Sequence, residues 1–419
     1  MRRSIMLVAV SLLALTLAAC TDDNSPTGPV PSASSKNLTG LGGIIIERPP
    51  TRPGPNDFVD ITAGDNHTCA RKINNKVYCW GLDNLNQTGY STTRTCYYGS
   101  PCTDRPTLLM KAAGGWDTLR ASKLDAGSNH TCIIDTLNDA WCWGDGNWGQ
   151  LGFAVGSYST SNEPLPVVGG LKFTSIGAGS GSTCGTSGGL MYCWGKLMNR
   201  AAVPTLVSTY NGGYNNVTVG DLHACTTENP GYPVRPVCWG NNTYGQLGID
   251  MSMIQNAPFA VGTFFGNSVV RATTQQNFTC VEQTNGTVQC AGSNSNSQLG
   301  LPTSTWATGT PQTIVAPVLH GVSTGTAHAC GLDASGNAWC WGNGYWGQVG
   351  NGDASANPTA LAVTGGHTYR AIAAGANHTC AIGTDNHIYC WGTNHEGQLG
   401  TMYPGGWVST PVQALDPIL

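Results

Sequence analysis

Apolar residues recur in short runs along the chain, and each run surrounds the second member of a cysteine pair. In the first run Tyr78 and Trp80 flank Cys79, and Val77 precedes them, so apolar side chains fall on both faces of one short strand. A strand that is apolar on both faces has to be covered on both faces. The pattern therefore predicts sheets packed between neighbouring sheets, as in the blades of a propeller.

The cysteine pair repeats seven times, and the second cysteine is followed by Trp-Gly in every copy but the fifth, where Ala291 stands. The first cysteines lie 41 to 63 residues apart, which is the period of one supersecondary unit per repeat. The pairs are Cys69 with Cys79, Cys132 with Cys142, Cys184 with Cys193, Cys225 with Cys238, Cys280 with Cys290, Cys330 with Cys340, and Cys380 with Cys390.

The spacing within each pair predicts a β-hairpin. If paired cysteines face each other, five copies leave a three-residue loop whose third residue is Gly or Asn, the types that tolerate positive φ. Cys184 and Cys193 leave a two-residue Gly188-Gly189 turn instead. Facing residues lie about 4.5–5.5 Å apart at Cα, within disulfide reach. The five loop residues are Asn75, Asn138, Gly286, Gly336 and Asn386.

Cysteine usage predicts disulfides rather than a metal site. Cys96 and Cys102 form an eighth pair in an insertion, so all cysteines but Cys20 are matched. Eight local disulfides are typical of an exported protein. Metal is the alternative, because a His-x-Cys step recurs, but the short-spaced pairs of zinc sites do not occur. We therefore expect no metal and no cofactor.

In every repeat except the third, a turn follows this Gly, clearest at 149–152, 245–248 and 397–400, and two further strands come next in each unit. Four strands per unit predict an all-β, seven-bladed β-propeller of four-stranded blades. The strand at 409–415 lacks a following partner and the strand at 58–64 a preceding one. We therefore expect the N- and C-terminal strands to share one blade and close the ring.

The N-terminal region predicts export. Arg2 and Arg3 precede an apolar run that is too short for a lasting membrane helix. Leu17-Ala18-Ala19-Cys20 resembles the lipobox of bacterial lipoproteins, which implies cleavage before Cys20 and its lipidation; a plain signal peptide is the alternative. Thr21 at the next position favours the outer membrane or cell surface. The predicted domains are a signal peptide at 1–19, a flexible tether at 20–57 and the propeller at 58–419.

Composition argues against two classes of function. Charged residues are 10% of the chain and the net charge is -4, which disfavours nucleic-acid binding. Five histidines recur at one equivalent position, so we expect them to form structural hydrogen bonds. No nucleophile elbow, phosphate loop or metalloprotease motif occurs in the sequence. We therefore expect no enzyme activity.

Candidate binding residues lie where the repeats differ. The residue two positions before each turn glutamine varies between repeats, and in three repeats it is Trp148, Tyr244 or Trp346. Tryptophan and tyrosine are common in binding hot spots. The insertion at 92–104 carries Tyr97 and Tyr98 between its paired cysteines, which preorganise the loop. The alternatives are that the rings only cap their own loops and that the insertion is only stabilised.

The repeat consists of Gly-x-x-His-(Thr/Ala)-Cys, then a hairpin, and then Trp-Gly-x-Asn-x-x-Gly-Gln-Leu-Gly. This pattern resembles the repeat of the regulator of chromosome condensation family over about 58–415. The resemblance implies a seven-bladed propeller that acts by binding proteins, as do a nuclear exchange factor and a secreted β-lactamase inhibitor of that family. We therefore expect a monomeric, lipid-anchored module that binds a protein or glycan. A polysaccharide-acting enzyme with its site in the central channel, and a structural envelope protein, are the alternatives.

Overall fold

The structure is a computed structural model that describes residues 57–417, apart from short gaps at 91, 93, 111–117, 155–157, 209–212, 229–233, 254, 261–264, 267 and 403. Seven four-stranded antiparallel sheets form the blades, and each blade takes four strands in chain order. The predicted all-β, seven-bladed propeller is therefore confirmed. Cys20, the predicted signal peptide and most of the predicted tether lie outside the described residues.

Blade 1 contains β1 (Phe58–Ala63), β2 (His67–Lys72), β3 (Val77–Leu82) and β4 (Cys102–Leu108). Blade 2 contains β5 (Ala121–Ala126), β6 (His130–Asp135), β7 (Ala140–Gly144) and β8 (Ser161–Pro166). Blade 3 contains β9 (Phe173–Ala178), β10 (Ser182–Ser187), β11 (Leu190–Gly195), a 3-10 helix (Lys196–Met198) and β12 (Ala201–Ser208). Blade 4 contains β13 (Asn215–Val219), β14 (His223–Glu228), β15 (Arg235–Gly240) and β16 (Gln255–Ala260).

Blade 5 contains β17 (Val269–Gln275), β18 (Phe278–Gln283), β19 (Val288–Ser293) and β20 (Ala307–Thr313). Blade 6 contains β21 (His320–Thr324), β22 (His328–Leu332), β23 (Ala338–Gly342) and β24 (Asn357–Ala362). Blade 7 contains β25 (Tyr369–Ala374), β26 (His378–Gly383), β27 (Ile388–Thr393) and β28 (Trp407–Gln413). The first strand of each blade lines the central channel.

Every predicted hairpin is present. The two cysteines of each repeat face each other across the second and third strands, with Cα atoms 4.0 to 4.2 Å apart. The five predicted loop residues and both Gly188 and Gly189 have positive φ, between 59° and 82°. Eight disulfides in the described part of the chain indicate an oxidising, extracellular environment.

The tryptophan after the second cysteine joins neighbouring blades. These rings are fully buried and, in five blades, the indole N–H donates to the backbone carbonyl of the turn glutamine in the preceding blade. The donor and acceptor pairs are Trp80 with Gln398, Trp143 with Gln87, Trp194 with Gln150, Trp341 with Gln298, and Trp391 with Gln348, at 2.7 to 3.1 Å.

The expected closure of the ring by a shared blade is wrong. β1 is the innermost strand of blade 1 and pairs with β2, whereas β28 is the outermost strand of blade 7 and pairs with β27. Each repeat begins at its inner strand, so neither blade lacks a strand for the other terminus to supply. Blades 7 and 1 meet as complete blades instead, through contacts that include Trp80 and an Arg370 hydrogen bond of 2.6 Å to the Phe58 carbonyl.

The repeated histidines form a second set of contacts between blades. In five interfaces the Nε2 atom lies 2.8 to 3.0 Å from a threonine hydroxyl of the next blade, and burial lowers the pKa of each ring to about 3. The predicted structural hydrogen bond is confirmed. The pairs are His67 with Thr131, His130 with Thr183, His223 with Thr279, His328 with Thr379, and His378 with Thr68.

Blade 3 lacks the glutamine turn, and its short helix occupies that place. The next tryptophan, Trp239, is 2% exposed and packs beside Leu197 and Met198 of this region. Among the described residues no acceptor lies within hydrogen-bonding reach of the Trp239 indole N–H. The deletion therefore removes the hydrogen bond but keeps the packing.

Candidate functional site

The glutamine turns build one end of the propeller, which we call the turn face. In each turn the glutamine Oε1 accepts the backbone N–H of the variable residue two positions earlier, at 2.8 to 3.0 Å. This bond holds the loop backbone while the variable side chain stays exposed or half-buried. The six variable residues are Leu85, Trp148, Tyr244, Asn296, Trp346 and Glu396.

The predicted aromatic residues do not form one continuous ring. Trp148 is 40% exposed, but Lys196 and Arg200 of blade 3 lie over its ring, 5.7 and 5.2 Å from the centroid. Tyr244 is half-buried and packs edge-on against the exposed Trp306 at 6.0 Å. These two rings therefore belong to separate patches in which each meets other side chains of the protein.

The third patch joins two of the sequence-based predictions. Tyr97 and Tyr98 are 64% and 66% exposed, and their ring centroids lie 5.6 and 5.2 Å from that of His395. Trp346 of blade 6 is 44% exposed and meets the same His395 ring edge-on at 6.2 Å. Tyr97, Tyr98, Trp346 and His395, which we call the aromatic cluster, thus connect blades 6, 7 and 1.

The insertion is fixed against blade 7 at this cluster. The backbone N–H of Tyr97 donates to the carbonyl of His395 at 3.2 Å, and Arg94 donates to the carbonyl of Met402 at 3.4 Å. Arg94 also forms an ion pair of 2.6 Å with Asp104, whose side chain is 3% exposed. With the Cys96–Cys102 disulfide, these contacts hold both tyrosines in place.

The aromatic cluster borders a hollow of about 240 Å³ on the turn face. Tyr98, Trp346 and His395 line it together with polar side chains from three loops. Burial raises the pKa of the Glu396 carboxyl. The polar residues that line the hollow are Asn66, Asn377, Thr393, Glu396 and Gln398.

The central channel is a larger cavity, of about 620 Å³. Burial raises the pKa of Asp125 to about 6, but its two oxygens accept hydrogen bonds from the Thr62 hydroxyl at 3.1 Å and the Ala178 N–H at 2.8 Å. Burial also raises the pKa of Asp60, which pairs with Arg71 at 3.5 Å. Both carboxylates therefore have partners inside the protein that account for their positions.

The part of the chain that the structure describes contains no group of three His, Cys, Asp or Glu residues placed to hold a metal ion. No helix among those residues is long and apolar enough to cross a membrane.

Sequence reasoning missed His395 and Trp306. His395 occupies the turn position just before the variable one, and the same position holds the exposed Tyr345 in blade 6. A comparison of the repeats at this position, in addition to the variable position, would have found His395. Trp306 lies in the segment that enters β20, outside the repeated turn, and the repeat carries no signal for it.

The geometry defines a seven-bladed propeller whose blades are linked by tryptophan and histidine contacts, a fold commonly used for protein interaction. Residues 58–87, 121–150 and 369–398 match the regulator of chromosome condensation (RCC1) repeat, and residues 335–382 match a second form of it. These matches cover parts of blades 1, 2, 6 and 7, so the chain is similar to propellers built from regulator of chromosome condensation repeats.

Similar proteins share the repeat at low sequence identity. The ultraviolet-B receptor UVR8 of Arabidopsis thaliana is 23% identical over 67% of this chain and 63% of its own length. The E3 ubiquitin-protein ligase HERC2 of Homo sapiens is 23% identical over 82% of this chain but 6% of its own length. Protein pim1 of Schizosaccharomyces pombe is 26% identical over 77% and 67%. The chain thus spans less than two thirds of the receptor and of the ligase.

Two solved structures show the same fold. Prp20p of Saccharomyces cerevisiae, described with its binding to Gsp1p and histones, has a TM-score of 0.70 at 18% identity and covers 87% of both chains. Human WBSCR16 has a TM-score of 0.69 at 17% identity, covering 81% of this chain and 94% of its own.

Proposed function

We propose that the protein is an exported, lipid-anchored binding module that recognises a protein or glycan partner through its turn face. The observation that carries the proposal is the aromatic cluster, because its tyrosines and Trp346 are exposed on loops held by a disulfide and by partly buried hydrogen bonds. Exposed aromatic residues on rigid loops bind with little loss of conformational entropy. The binding of Prp20p to Gsp1p and histones is consistent with this use of the fold.

Capture of partners tests the role of the turn face. The full-length protein is solubilised in detergent and used to capture cross-linked envelope components. We expect the variant Tyr98→Ala/Trp346→Ala to lose a partner that the unmodified protein retains. Leu137→Ala is the matched control, because Leu137 is exposed in a hairpin loop at the opposite end of the propeller. Equal loss in the control variant, or no loss in the double variant, would contradict the proposal.

Membrane attachment is tested separately. Cys20→Ala removes the sulfur that would carry the lipid, so we expect the protein to leave the membrane fraction and to incorporate no labelled fatty acid. Thr21→Ala, which keeps the cysteine, is expected to remain membrane-bound. Retention of Cys20→Ala in the membrane fraction would count against the lipid anchor but not against binding by the turn face.

A further inference from the structure

The hollow beside the aromatic cluster presents open ring faces. Tyr98 and Trp346 line it, and among the described residues no lysine or arginine lies over either ring. Trp148 differs in this respect, because Lys196 and Arg200 cover its ring. The rings of the hollow are therefore available to a ligand, whereas the Trp148 ring already has a partner in its own protein.

The polar side of the hollow contains atoms that lack partners. The Glu396 Oε2 and His395 Nδ1 atoms are buried, and no described residue lies within hydrogen-bonding reach of either. Both residues line the hollow, and a buried polar atom without a partner costs about 1–3 kcal/mol, so each favours a side-chain rotation that lets a ligand supply the hydrogen bond.

Two amide side chains are held ready at the same place. The Asn66 Oδ1 atom accepts from Gln398 Nε2 at 3.4 Å, and the Asn377 Oδ1 atom accepts from Gln348 Nε2 at 3.3 Å. These bonds orient both asparagines by their oxygens and leave their amide N–H groups as donors. The hollow thus offers donors and acceptors beside two aromatic rings.

We infer that this hollow is a saccharide-binding subsite, an inference that rests on the proposed function of the turn face. Sugar hydroxyls donate to a carboxylate such as Glu396 and accept from amides such as Asn66 and Asn377. The C–H groups of a pyranose face pack against the electron-rich faces of Tyr98 and Trp346. At about 240 Å³ the hollow is smaller than the roughly 300–1,000 Å³ pockets of drug-sized ligands, and it suits a short segment of a glycan.

Two other ligand classes fit the hollow less well. A quaternary ammonium compound such as choline would use the rings and the carboxylate, but its single hydroxyl supplies far fewer hydrogen bonds to the amides than a saccharide does. A protein interface buries about 800 Å² on each partner, and the hollow alone is too small to supply that area. A saccharide uses the rings, the carboxylate and the amides together.

The test measures binding of chitotriose, cellotriose, maltotriose and choline chloride to the full-length protein by saturation-transfer NMR and calorimetry. We expect one of the trisaccharides to bind with a Kd of about 0.1–1 mM. Tyr98→Ala and Trp346→Ala should each weaken it about tenfold or more, and Trp148→Ala, the matched control on the same face, should leave it unchanged. Tyr98→Phe keeps the ring and should stay within about threefold of the unmodified protein.

Glu396→Gln separates the polar contribution from stacking, because it keeps the size of the side chain and removes its charge. We expect it to weaken the same trisaccharide about tenfold, since hydrogen bonds to a charged acceptor are the stronger ones. Circular dichroism of each variant, with disulfides intact, confirms that the propeller is folded. An affinity unchanged in Glu396→Gln and in both alanine variants would overturn the saccharide subsite.

Failure to bind any of the three trisaccharides at about 10 mM would also overturn it, as would binding of choline in their place. If the double variant Tyr98→Ala/Trp346→Ala still loses a captured partner while no trisaccharide binds, the saccharide inference fails and the proposed function stands. If capture does not depend on the turn face, the proposed function itself fails.

Discussion

Replacing Trp391 with phenylalanine removes one of the hydrogen bonds that join neighbouring blades. Its indole N–H donates to the carbonyl of Gln348 at 2.8 Å, and the ring is fully buried. Trp239→Phe is the matched change, because Trp239 holds the equivalent position in blade 4 and is buried without an acceptor among the described residues. Both substitutions delete the same atoms, so the difference between them isolates the hydrogen bond.

The expected difference follows from the partners of the two indoles. In Trp391→Phe the Gln348 carbonyl still accepts from the Thr379 hydroxyl at 2.9 Å, so the loss is one net hydrogen bond of about 1 kcal/mol. Trp239→Phe removes a buried donor without a partner, which recovers about 1–3 kcal/mol against the same packing loss. We therefore expect Trp391→Phe to lower the free energy of unfolding by about 2–4 kcal/mol more than Trp239→Phe.

Equilibrium unfolding in guanidinium chloride, followed by far-ultraviolet circular dichroism with disulfides intact, measures both variants. Equal slopes of free energy against denaturant are required, because a changed slope means a changed unfolded state. If Trp239→Phe is as destabilising as Trp391→Phe, or more so, the inter-blade hydrogen bond does not stabilise the ring as described.

Two further predictions concern the same interfaces. Gly350→Ala places a Cβ 2.7 Å from the Trp391 indole nitrogen at a φ of +76°, whereas a Cβ at Gly352, with a φ of +87°, would meet open space. Unfolding experiments should therefore show that Gly350→Ala is less stable than Gly352→Ala by about 1–3 kcal/mol. Equal stabilities would contradict the contact. The pKa of His130 is about 3 when folded and 6.5 unfolded, so the unfolded chain binds a proton that the folded protein does not, and stability is lost as pH falls from 6.5 to 3. The free energy of unfolding, measured by denaturant at several pH values, should depend on pH less steeply by about 1.4 kcal/mol per pH unit in His130→Ser/Thr183→Ala than in the unmodified protein. An unchanged slope would contradict the buried neutral histidine.

The hairpins were predictable from the sequence because cysteine spacing counts the strand register directly. Nine residues separate Cys132 from Cys142, and if the two cysteines face each other, pairing inward leaves a three-residue loop. Asn138 has the positive φ that this loop requires. The burial of Trp143 followed from the apolar residues on both faces of its strand. These features depend on neighbours in one repeat, where sequence and structure are linked by short-range geometry.

Ring closure and the hollow depend on contacts that spacing does not describe. A repeat reads the same wherever its unit begins, so the sequence could not show that 58–63 is an inner strand of its own blade. The hollow collects Asn66, Tyr98, Trp346 and His395 from separate loops of three blades. These loops come together only when the ring closes, so their positions along the chain do not indicate that they are in contact.

The histidine contacts show which parts of the chain have to be inherited together. Where a blade has histidine the next has threonine, but Ser182 precedes a blade with Ala224, and Phe278 precedes one with Ala329. Each matching pair spans two repeats, so a repeat that carries only one member of the pair, such as blade 5 with Phe278 and Thr279, would meet the wrong neighbour if it were moved. A blade carrying phenylalanine placed before one carrying threonine would bury a hydroxyl against a ring. The order of blades 3 to 6 is thus encoded at their junctions, and moving one of these blades would require paired substitutions.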